Sequence, residues 1–133
     1  MHSTNYCDTL ILASPDCKAG QGMVPAKEGS IAALQYELLT AMPYQMSSDD
    51  LLCAVEARRK GIAPDKLAAF REAFFAVPHA CLRASPLVKS YGWGIHHDAH
   101  GRIALVGRES KAYGALVEDP STTKVAGMRS RRV

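Results

Sequence analysis

The chain has 133 residues, of which 47% are hydrophobic, 22% charged and 7% aromatic, so it has the size of one domain and can build a core without disulfide or metal staples. No apolar run approaches the roughly 18 residues of a membrane-spanning helix, and Met1-His2-Ser3-Thr4-Asn5-Tyr6 lacks a basic-then-apolar export pattern. No membrane partner and a cytoplasmic location are therefore expected.

Charge and cysteines narrow the partners. Lys124, Arg129, Arg131 and Arg132 all follow the last acid, Asp119, and removing these four cations from the net +3 leaves the body at −1. The reading is a single domain, 1–133, with a basic C-terminal tail at about 124–133. A nucleic-acid face spreads its cations over a folded surface, so nucleic acid is not an expected partner. Cys7, Cys17, Cys53 and Cys81 form no Cys-x-x-Cys pair, and separate reduced thiols are expected.

In chain order, residues 5–13 alternate as a strand, with Tyr6, Asp8, Leu10 and Leu12 on one face and Cys7, Thr9 and Ile11 on the other. Residues 14–29, punctuated by Pro15, Gly20, Gly22, Pro25 and Gly29, read as a long loop of the functional or mobile kind. Ser30 caps a helix through Ile31, Leu34, Leu38 and Met42 that stops before Pro43. Ser47 or Ser48 caps a second helix, with Asp49 and Asp50 in its first turn and Gly61 past its basic end. Pro64-Asp65 opens a third, through Leu67, Phe70, Phe74 and Phe75, ended by Pro78. Ser85-Pro86 opens a short helix that closes at Gly92.

Trp93–Asp98 and Arg102–Gly107 form the clearest signal, two strand-like runs around the loop Ala99-His100-Gly101. That loop sets the pairs Asp98 with Arg102, His97 with Ile103, His96 with Ala104 and Ile95 with Leu105. One face then carries Trp93, Ile95, Ile103 and Leu105, with His97 near the tip, and is the better core face; Gly94, His96, Asp98, Arg102, Ala104 and Val106 lie on the other. Ser110 caps a further helix with Tyr113, Leu116 and Val117, and Ser121 is the candidate start of one more, running into the basic tail. Because a lone hairpin is marginal in water, the N-terminal strand should join it. The expected fold class is α+β: a small, mainly antiparallel sheet, made of the N-terminal strand and hairpin 93–107, packed on one face by four or more helices.

Tyr36, Pro43-Tyr44, Ser48-Asp49-Asp50, Leu82-Arg83-Ala84-Ser85-Pro86, Tyr91-Gly92-Trp93-Gly94-Ile95-His96 and Gly101-Arg102-Ile103-Ala104-Leu105 together resemble a family of small bacterial and fungal proteins of unknown function. The resemblance runs from Thr4-Asn5-Tyr6 to Met128-Arg129-Ser130-Arg131 and implies membership without an activity. In similar sequences a small polar residue often stands at the position of His97, and that of His100 is often not histidine, which argues against chemistry needing either.

His96-His97-Asp98-Ala99-His100 is the densest run of metal-ligand residue types, but alternation turns His97 away from His96 and Asp98. A metal-dependent enzyme using His96 is therefore a secondary reading, and neither a metal nor another cofactor is expected. His79 with Cys81, and Ser85 with Lys89, are candidate nucleophile pairs that spacing alone cannot activate. Gly20-Gln21-Gly22 lacks the following helix of a dinucleotide site.

The arrangement favoured for binding is Arg83, Ser85, Trp93 and His96. A helix start two residues after Arg83 brings free amides and a guanidinium fork together, as an anion needs. The leading functional expectation is a small domain binding an anionic small molecule there. The rival expectation is a non-catalytic protein that self-associates as a homo-oligomer, and the residues carry no catalytic signature that decides whether the chain is an enzyme.

Overall fold

The computed structural model describes residues 3–129. Its elements are β1 (Thr9–Leu12), α1 (Ile31–Ala41), α2 (Ser48–Lys60), α3 (Leu67–Phe75), α4 (Pro86–Ser90), β2 (Trp93–His97), β3 (Ile103–Gly107), α5 (Lys111–Glu118) and β4 (Thr123–Ala126), with single 3-10 turns at Pro64–Lys66 and Leu82–Ala84. The strands form one mixed sheet in the order β3-β2-β1-β4. The fold is α+β, as the alternation of signals implied.

Helix starts follow from their caps. Ser30, Ser47, Ser85 and Ser110 each accept a hydrogen bond from an amide in the first turn they precede, and Ser47 and Asp50 form a reciprocal capping box. Gly61 closes α2 in the left-handed conformation, φ 65°. The hairpin has the register expected from its loop, His97 opposite Ile103 and Ile95 opposite Leu105, with Gly101 at φ 76°.

Three expectations are corrected. First, Ser121 does not begin a helix. Asp119 accepts from Ser121 N, Thr122 N and Thr122 Oγ1 to make a turn, and Thr123 N then bonds Asp8 O, so β4 runs parallel to β1. Lys124, assigned to the tail, lies inside this strand; Arg131 and Arg132 lie outside the described residues. Second, the first strand is shorter than 5–13, because Asp8 takes φ 49° and breaks the alternation. Tyr6 is thereby turned to the core face, its ring edge-on to His97 at 5.4 Å. Third, helices cover both faces. The face of Ile11, Ile95 and Ile103 packs on α1, α2 and α4 through Leu34, Leu39, Leu51, Val55 and Val88. On the other face α5 lays Tyr113 against Gly94, where a Cβ would stand 2.7 Å from the ring, and Tyr113 Oη accepts from Ala13 N.

The long loop before α1 is held rather than loose. Trp93 Nε1 donates to Met23 O, Gly22 N to Glu109 Oε1, and Arg108 Nη1 to the carbonyls of Cys17 and Ala19. Both sheet edges are also engaged. Tyr44 N and Ile103 N exchange bonds with Ile103 O and Met46 O, laying residues 44–47 along β3, and Arg83 Nε donates to Ala126 O at the far edge.

Candidate functional site

The four residues expected to bind an anion occupy four separate places. Ser85 is buried; its hydroxyl caps α4 by accepting from Leu87 N and donates to Gln35 Oε1 at 2.5 Å. Arg83 sits at the β4 edge with its Nε on Ala126 O at 2.6 Å. Trp93 packs against Tyr36 and donates to Met23 O. His96 is on the opposite face of the sheet, where Nδ1 and Tyr44 Oη are 2.9 Å apart. The geometry brings Ser85 to a groove and leaves the other three elsewhere.

The histidines show why. His96 and His97 point to opposite faces, as strand alternation requires. His97 is fully buried beside Tyr6, and burial drives its pKa down to about 4, outweighing the Ile95 carbonyl that favours the charged form. Its Nε2 has no hydrogen-bond partner. Partial burial also lowers the pKa of His96 against the opposing pull of Asp98, Asp8 and Asp119, and raises that of Tyr44. No group of three or more His, Cys, Asp or Glu able to hold a metal occurs among the described residues.

Nor do the candidate nucleophile pairs form. His79 stacks on Phe74 at 3.7 Å and donates Nε2–H to Phe74 O, while Cys81 Sγ faces Tyr6 Oη at 3.4 Å. That contact, with burial, raises the Tyr6 pKa. The Ser85 hydroxyl bonds Gln35 Oε1 and Leu87 N, not the Lys89 side-chain amine.

What the fold builds instead is a groove between α1, α2 and the segment 79–86. One lobe of about 220 Å³ lies among Gln35, Leu52, Val55, Phe74 and His79. A second of about 190 Å³ lies among Gln35, Leu52, Cys81, Ser85 and Pro86. The two share Ile31, Gln35, Leu52 and Ala80. A third, open cavity of about 400 Å³ adjoins them through Ile31 and Pro86, and is lined by Lys27, Ser30, Ala32, Arg59 and Tyr91.

Charge in the groove is graded. The outer cavity surrounds the start of α1, whose first turn holds no acid and whose Ile31 and Ala32 amides lie before any intrahelical acceptor. Lys27 has no side-chain partner among the described residues, whereas Arg59 is shared with Glu56 at 2.9 Å. The inner lobes are apolar apart from a few polar groups, most of them paired.

Sequence reasoning missed Gln35, Lys27 and Arg59. Gln35 carried a readable signal, because it falls four residues after Ile31 and beside Leu34 on the apolar stripe of α1, where a polar side chain needs a partner. Lys27 and Arg59 gave none, since surface cations converge only through tertiary packing.

Comparison with known proteins adds membership. No curated protein and no solved structure shows significant similarity to this chain. The model of a family of unknown function (DUF6157) matches residues 1–133, and the chain belongs to that family.

Proposed function

We propose that the protein is a binding domain for an anionic small molecule with an apolar body, seated in the groove between α1, α2 and residues 79–86. The observation that carries this reading is the joining of two apolar lobes, through Ile31 and Pro86, to an outer cavity bearing Lys27, Arg59 and the start of α1. Apolar walls with a few placed polar groups are the usual form of a small-molecule site. The helix start and two cations favour a carboxylate or phosphate at the mouth.

A thermal-shift screen of alkyl carboxylates and alkyl phosphates tests it. Stabilisation is expected for the wild type, reduced in Lys27→Ala and abolished in Ile31→Asp, with each variant's fold checked by circular dichroism. Arg83→Lys and His96→Ala line no part of the groove and should respond like the wild type. Loss of stabilisation in those two, with Lys27→Ala unaffected, would return the site to the segment expected from sequence.

Self-association is the second reading, favoured by one observation. Phe75 is the only buried residue of α3, and Leu67 and Val77 at its ends are exposed. Sedimentation velocity across a hundredfold concentration range separates the readings. A dimer that survives dilution and is lost in Ala68→Glu would favour an interaction surface on α3.

A further inference from the structure

Gln35 is the one polar side chain shared by the two inner lobes. Gln35 is 2% exposed, yet it lines both inner lobes. Its carbonyl end is fixed. Ser85 Oγ accepts from Leu87 N, so the hydroxyl proton is free to be donated, and Gln35 Oε1 receives it at 2.5 Å. Turning the amide over would set Nε2 against Oγ and leave a buried hydroxyl proton without an acceptor, which is the costlier arrangement.

The nitrogen end therefore faces away from Ser85 with two N–H donors and no acceptor among the described residues. It is not sealed in the core. His97 Nε2 is the one fully enclosed side-chain nitrogen or oxygen without a partner among the described residues, so Gln35 Nε2 keeps some exposure, and the cavities its residue lines are the two inner lobes.

The other polar side chains of these lobes are each engaged. Glu56 holds Arg59 and Lys60, His79 Nε2 holds Phe74 O, Cys81 faces Tyr6, and Ser85 is used twice. A pair of unused donors among Ile31, Leu52, Phe74 and Pro86 selects for an acceptor in an otherwise apolar molecule. A ligand that brings a donor there instead leaves two polar groups unpaired and is rejected.

We propose that Gln35 Nε2 donates to a carbonyl or carboxylate oxygen of the ligand, so that the groove takes acyl compounds, with the alkyl part lying along Leu52 and Phe74. This rests on the groove being the binding site. It goes beyond that reading by adding a second recognition point inside the lobes, at Gln35, which a ligand with a single polar end can use in place of the mouth.

The test uses three probes with the same chain length, hexanoate, hexanamide and hexylammonium, titrated into isotope-labelled protein and followed by NMR. Hexanoate and hexanamide are expected to shift the Gln35 side-chain NH2 signals together with the Ile31 and Leu52 methyls, and hexylammonium to shift none of them. Gln35→Met, which keeps the volume and removes the donors, should weaken hexanamide by about three- to tenfold, the worth of one neutral hydrogen bond, and the charged hexanoate by at least as much. If Gln35→Met does not fold, the double variant Gln35→Leu with Ser85→Ala removes the hydroxyl left behind and serves in its place. Equal binding of hexylammonium, or acyl affinities unchanged in the Gln35 variant while the Ile31 and Leu52 methyls still shift, would overturn the acyl assignment and leave the groove as the site. No methyl shift with any probe would overturn both.

Discussion

Two buried polar clusters flank α1 and α2, and they are built on opposite plans. At the start of α2, Asp49 is closed in on all sides: Oδ1 accepts from Thr4 N and Thr4 Oγ1, Oδ2 from Ser3 Oγ, and Asp49 N donates to Asn5 Oδ1. Ser48 Oγ completes the knot on Thr4 Oγ1 at 2.8 Å. Between α1 and α4 the Gln35 and Ser85 pair is equally buried but ends in donors facing a groove. A closed cluster ties segments of chain together, here residues 3–5 to α2. An open one leaves donors unused by the chain, which on the proposed reading serve a ligand.

The largest effect should come from breaking the closed cluster. Asp49→Ala strips the acceptor from three donors, two of them buried on Thr4, and a loss of about 4 kcal/mol in unfolding free energy is expected, since each buried donor left unpaired costs roughly 1–3 kcal/mol. Chemical denaturation measures it, and a change below about 1 kcal/mol would show the knot to be incidental.

His97 sharpens the contrast, being both unpaired and sealed. Its folded pKa of about 4 lies below the ordinary 6.5, so between those values the unfolded chain binds more protons and stability falls as pH falls. The full difference is worth roughly 3 kcal/mol. His97→Leu should remove this slope between pH 6.5 and 4 while keeping stability at pH 7 at or above the wild type. A slope unchanged in the variant would assign the acid sensitivity to other groups.

The open cluster should be the more forgiving. Gln35→Met leaves only the Ser85 hydroxyl without an acceptor, a cost of about 1 kcal/mol. Ser85→Ala should cost a similar ~1 kcal/mol through loss of the α4 cap. Thermal melts of the two beside Asp49→Ala give the comparison directly, and a Gln35→Met loss as large as that of Asp49→Ala would mark the pair as structural rather than reserved.

What could be read in the sequence was whatever is decided locally. Serine caps, Gly61, the hairpin register and the opposite directions of His96 and His97 each depend on a few neighbouring residues, and each stands as expected. β4 could not be read, because Thr-Lys-Val-Ala is unremarkable as a strand and becomes one by pairing with β1 more than a hundred residues earlier. Asp8 hid the turn of Tyr6 toward the core in the same way, since a single left-handed residue shifts the face of everything before it. The groove was the least legible. Gln35 and Ser85 are 50 residues apart in sequence, and the local reasoning that correctly made Ser85 a cap gave no hint of its second bond.

The covering of the sheet margins bears on how the protein behaves when crowded. An open β-strand edge is a template on which another chain can add strands without limit, the first step toward fibrils. Here residues 44–47 occupy the outer ladder of β3, helped by the left-handed turn of Tyr44 at φ 58°. At the other margin, four-residue β4 carries a lysine, and its Ala126 carbonyl is already taken by Arg83. Arg83, first noticed as an anion-binding candidate, thus acts as a guard against templated growth.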